Sequence, residues 1–84
     1  MLFAGQLRAA RALIGWNQLE LAEKSGVGIS TIRRLEAQQG VLRGMSDTIW
    51  KLRKTLEEAE IIFIDGDEST GPGVRLAKSI SDIS

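Results

Sequence analysis

"QLELAEKSGVGISTIRRLE", residues 18 to 36, decides how this chain folds. Two short runs flank Gly26 and Gly28. In the first, Leu21 and Ala22 fall on one helical face, and Glu20, Glu23 and Lys24 fall on the other. In the second, Ile32 and Leu35 share a face at a spacing of three. Counted from Gln18, the fifth position is Ala22, small enough for two helices to cross there at close range. The ninth is Gly26, which accepts a positive φ without strain. The tenth, fifteenth and eighteenth are Val27, Ile32 and Leu35, apolar residues that fill the wedge between the helices. Left outward on the second run are Ile29, Ser30, Arg33 and Arg34.

Those demands are the ones a helix-turn-helix makes, and its second helix is shaped to enter a DNA major groove. The flanking residues extend the pattern. Phe3, Leu7, Ala10 and Ile14 form a helical stripe over residues 3 to 14, which Gly15 can terminate as a left-handed cap. Asn17 is placed to cap the next helix. "QQGVLRG" reads as a loop, and a fourth helix is expected from about Ser46 to Ala59, capped by Ser46 or Asp47. After Glu60 the period changes. "IIFID" and "VRLAK" are strand-like and flank the turn-rich "GDESTGPG", so a β-hairpin or two edge strands are expected. The fold class is therefore mainly α. A four-helix helix-turn-helix domain over residues 1–59 carries a β-strand extension over 60–78 and a flexible tail over 79–84.

Composition narrows the chemistry. With 84 residues there is room for one small domain and a modest core, for which oligomerisation is a common remedy. Neither histidine nor cysteine is present, which removes the usual zinc sites, His general bases and His-assisted nucleophiles. No acidic pair sits in an apolar, pocket-like context, so neither an enzyme, a metal nor a cofactor is expected. "MLFAGQLRAAR" has no signal-peptide pattern, and no apolar run spans a bilayer, so a cytoplasmic location is expected. The zero net charge conceals a polarity: nine basic residues face four acidic ones up to Leu56, and two face seven from Glu57 onward. That split suits an anion-binding body with an acidic appendage.

Residues 5 to 58, and "RALIGWNQLELAEKSGVGISTIRRLEAQQG" within them, resemble the phage repressor/Cro-like (XRE) regulators, compact all-helical DNA-binding domains. The resemblance implies an ion pair between Arg11 and Glu36, which closes the recognition helix. It also implies a DNA-binding set. Gln18 would meet a phosphate at the start of a helix. Ser30 would reach base edges, and Arg34 or Arg33 would bind guanine. Thr31 and Arg43 are better placed for phosphates. Two positions depart from the family. Ile29 stands where a polar, base-bonding residue is common, and can instead pack against a thymine methyl. Gly28 replaces a polar cap and would let the backbone approach DNA closely.

The bland readings have their own claim. Arg33 and Arg34 alone would suit a solvated helix face, and Ile29 would suit a core or dimer contact. Trp16 and Trp50 are expected as core or interface bulk. "GDESTGPG" lacks the ending of a phosphate-binding loop and is read as a hairpin turn. Because an isolated hairpin is marginal and its edges invite pairing, Ile61, Ile62, Phe63, Ile64, Val74 and Leu76 are expected to form a homodimer interface. The expected function is a DNA-binding transcriptional regulator, a repressor by preference, acting as a homodimer on an inverted repeat of double-stranded operator DNA. RNA polymerase or another regulatory protein is a further candidate partner. Two alternatives are an antitoxin-like module that seizes a protein partner and uses DNA only for autoregulation, and an adaptor that has lost DNA affinity.

Overall fold

The helices of the computed structural model, which describes residues 1–78, begin and end close to where the sequence supplies caps. Helix α1 (Ala4–Ile14) stops at Gly15, whose φ of 72° is left-handed. Helix α2 (Gln18–Ser25) starts with a reciprocal cap. Asn17 Oδ1 accepts from Glu20 N at 2.8 Å, and Glu20 Oε1 accepts from Asn17 N at 3.0 Å. Gly26 ends α2 with φ 75°, a conformation that strains any residue carrying a Cβ. Helix α3 (Ile29–Glu36) follows after the extended Gly28. Helix α4 (Ser46–Glu58) corrects one expectation: its cap position is Met45, and no side chain caps it. Ser46 already lies inside the helix, and Asp47 sits in the first turn, where its charge favours the positive end of the dipole.

The hairpin forms from strands β1 (Ile61–Ile64) and β2 (Gly73–Leu76), paired antiparallel. Ile61 lies opposite Leu76, and Phe63 opposite Val74, on one face. Ile62 opposite Arg75 and Ile64 opposite Gly73 make the other. The first face packs into the helical body. Ile61 and Phe63 belong to the same core as Leu7, Ala10, Leu21, Ile32, Leu35, Leu52 and Leu56, and Val74 and Leu76 pack against it. The acidic segment is thus part of the domain rather than an appendage hung from it. The expected tail over 79–84 lies outside the described residues.

Gln6 fastens this arrangement. Its side chain is only 4% exposed, and its Nε2 donates to Ile64 O at 3.0 Å and to Gly73 O at 2.9 Å, one carbonyl from each strand. Its Oε1 accepts from Phe3 N at 2.8 Å, which also closes the start of α1. A buried amide with its polar groups engaged in this way specifies one position for the hairpin. The junction between α4 and β1 carries a positive-φ residue other than glycine, Glu60, at φ 74°. Its carbonyl accepts from Ala77 N at 2.7 Å, so the turn is fixed from the far strand.

The two tryptophans differ. Trp16 is half-buried against the core, with the Lys24 ammonium 5.4 Å from its ring centre. Trp50 is 61% exposed, so of the two expectations for it, core or interface bulk, the structure excludes the core. Its position on α4 turns it outward beside Lys54.

Candidate nucleic-acid interface

Helix α3 is two-sided. Ile32, Leu35 and Glu36 are buried, whereas Ser30, Arg33 and Arg34 are exposed and Ile29 and Thr31 are half-buried. The inward apolar pair seats the helix against α1 and α2, with Val27 filling the turn. Dispersion and burial of Ile32 and Leu35 therefore decide which residues remain outward. Gly28 at the cap position is exposed and has no side chain to cap the helix.

A polar cluster locks the inner end of α3. Arg11 Nε donates to Glu36 Oε2 at 2.7 Å and Arg11 Nη2 to Glu36 Oε1 at 2.8 Å, a bidentate pair. Arg11 Nη1 also donates to Trp16 O at 2.8 Å, which ties the α1–α2 turn to the same guanidinium. Glu36 holds the Arg11 pKa above its ordinary value, chiefly through this hydrogen bond, and partial burial opposes the shift. The buried carboxylate needs these donors, since an unpaired buried charge costs several kcal/mol.

Gln18 joins the same cluster. Its Nε2 donates to Glu36 Oε1 at 3.0 Å, so one of the two amide hydrogens is engaged inside the protein. The residue expected at a phosphate is at the same time a brace between α2 and α3. It is the first residue of α2, in the turn whose Glu20 amide is capped by Asn17.

Three cations of the predicted set enter no ion pair. Among the described residues the ion pairs are Arg11–Glu36 and Arg53–Glu57, and none involves Arg33, Arg34 or Arg43. Arg33 and Arg34 stand on the exposed side of α3, and Arg43 is exposed on the loop that follows it. The structure thus brings Gly28, Ile29, Ser30, Thr31, Arg33 and Arg34 onto one short helix and its entry. The six hairpin residues fall into two groups. Ile61, Phe63, Val74 and Leu76 face the chain's own core, and Ile62 and Ile64, each 38% exposed, point outward.

Sequence reasoning passed over Arg8, Gln6 and Gln38. Arg8 donates through Nη1 to Glu36 O and, at 3.4 Å, to Gln38 O, placing a cation on the carbonyl end of α3. Gln38 grips the backbone of Arg43 from five residues away. For Gln6 a signal existed: a glutamine three residues after the cap position is a helix-start pattern. For the other two the partner is a backbone carbonyl or amide, which no residue pattern marks.

Among the described residues no group of acidic side chains is arranged to hold a metal, and no helix is long and apolar enough to cross a membrane. A family model described as helix-turn-helix matches residues 7–43, which take in α1 from Leu7 onward, α2, α3 and the loop through Arg43. No curated protein and no solved structure matches the chain.

Proposed function

We propose that the chain, whose residues 7–43 match a helix-turn-helix family model, is an XRE-type DNA-binding regulator and a sequence-specific repressor of transcription. It acts as a homodimer on inverted-repeat operator DNA. The observation that carries this reading is the set of unpaired arginines on the outward side of a helix whose other side is locked into the core. Arg34, with Arg33, takes guanine O6 and N7 in the major groove, and Ser30 reaches an adjacent base edge. Ile29 packs on a thymine methyl. Thr31, Arg43, the second amide hydrogen of Gln18 and the bare backbone at Gly28 contact phosphates, which fix register. Repression follows from covering a promoter, with one side of the hairpin packed into the domain's own core.

A second copy pairs through the hairpin's outward side, where Ile62 and Ile64 remain exposed. Two recognition helices are then available for half-sites one helical turn apart, about 34 Å.

Selection of binding sites from random duplexes tests the proposal. The expected product is an inverted repeat bound with an affinity that falls steeply as salt rises. Arg34→Ala should lose about 1–3 kcal/mol of discrimination at one base position. Retention of both affinity and base preference in Arg34→Ala would remove it from the contact set. Co-purification of a stoichiometric protein partner, with no duplex preference, would favour the antitoxin-like alternative.

A further inference from the structure

The loop after α3 is held more firmly than an exposed loop requires, and the side chain that holds it is Gln38. Its Nε2 donates to Arg43 O at 2.7 Å, and its Oε1 accepts from Arg43 N at 2.8 Å. One amide thereby imitates a strand partner for the backbone of Arg43. Among the described residues those two backbone groups have no other partner. The loop is anchored on its other side by the N-terminal segment: Ala4 N donates to Gly40 O at 2.9 Å and Leu42 N to Leu2 O at 2.8 Å. Gln38 itself is tied to the reading helix, because its N–H donates to Leu35 O at 3.1 Å and its carbonyl accepts from Arg8.

These contacts fix the backbone of Arg43 relative to α3, yet the Arg43 side chain is exposed and makes no ion pair. A clamp of this kind does little for the core. Its effect is on the freedom of one cation. An arginine carried on an ordered backbone gives up less entropy when it takes a phosphate than one on a loose loop.

We propose that Gln38 is a positioning residue for DNA binding: its side-chain amide presents Arg43 to a backbone phosphate of the same duplex that α3 reads. The inference rests on the proposed DNA-binding function and adds to it a residue that touches no DNA. Gln38 therefore sets affinity uniformly across sequences and leaves base preference alone.

The experiment measures binding of the full chain to a random-sequence duplex of about 20 base pairs, ample for two half-sites, over a series of salt concentrations. Wild type, Gln38→Ala, Arg43→Ala and the double variant are compared. Arg43→Ala should lower the salt slope by about 0.9, the counterion share of one phosphate contact. Gln38→Ala should weaken binding severalfold and lower the slope by part of that amount. The double variant should bind no more weakly than Arg43→Ala alone, since both remove the same contact. Amide exchange at Arg43 in the free protein should quicken in Gln38→Ala while the amides of α3 keep their protection, which separates loosening of the loop from loss of the fold. A wild-type slope in Gln38→Ala, or additive losses in the double variant, would overturn the inference while leaving the DNA-binding reading intact. Failure of the wild type to bind any duplex would overturn both.

Discussion

The reading helix and the hairpin are each built from a short apolar pattern, but they use it to opposite ends. In α3, Ile32 and Leu35 anchor the helix so that Ser30, Arg33 and Arg34 stay unpaired and outward. In the hairpin, Ile61 and Phe63 anchor the strands, and the polar work is turned inward, through Gln6 to Ile64 O and Gly73 O. The arginines of the first region make no ion pair. The strand carbonyls of the second are taken up by a buried amide from α1. A short helix that sets two cations side by side on its outward face points to a binding function; a hairpin whose inner face and strand carbonyls are taken up by the core and by Gln6 points to architecture.

The largest expected effect tests whether the inner side of α3 is locked as firmly as this contrast requires. Glu36→Ala removes both acceptors from Arg11 and the partner of Gln18. Breaking one side of a buried pair costs about 3 kcal/mol or more, so urea unfolding should show a loss of that size. A change below about 1 kcal/mol, the range of an exposed pair, would mean that Arg11 finds water readily and that the pair does not lock α3.

Gln6→Ala asks the same question of the hairpin. It deletes two donated bonds and one accepted bond in a buried setting, with an expected loss of about 2 kcal/mol. Amide exchange in β1 and β2 should rise while α2 and α3 keep their protection. Equal loosening of α2 and α3 would show that the two regions form one cooperative unit.

Glu60→Gly has a smaller effect of opposite sign. The φ of 74° strains a side chain that glycine lacks, so the variant should gain up to about 1 kcal/mol in thermal unfolding, less what glycine loses in chain entropy. The smallest effect lies at the hairpin tip. Asp67 Oδ1 accepts from Ser69 N, Thr70 N and Thr70 Oγ1, and the backbone bond from Thr70 does most to hold its carboxyl below the usual carboxylate range. A lowered folded pKa means that this contribution is full above the ordinary aspartate range and fades as pH falls through the folded value. Amide shifts of Ser69 and Thr70 should therefore change only in acid, whereas α3 amides should not follow them.

How much is legible in the sequence follows the same division. The wedge of Ala22, Gly26, Val27, Ile32 and Leu35, the caps at Gly15, Asn17 and Gly26, and the four helices all rest on local spacing and backbone preference, which a sequence displays. Pairing of the strands is legible from their alternation, although their union with the helical core is not. It depends on Gln6 meeting carbonyls 58 and 67 residues away. Trp50 lies outside the core, and the sequence leaves it between core and interface because helical spacing alone does not say how far the core extends along α4. Gln38 and Arg8 escape notice for a related reason: each acts on backbone atoms, and backbone carries no identity to recognise.

The central claim is that the outward side of α3 meets DNA and that the hairpin does not. An amide chemical-shift titration with a duplex chosen by site selection tests it most directly. Residues 28 to 34, together with Gln18 and Arg43, should shift strongly, and the amides of β1 and β2 should move in a separate, dimer-dependent step that dilution alone reproduces. Shifts centred on the hairpin or on the Trp50 side of α4, with α3 unmoved at saturating duplex, would contradict it.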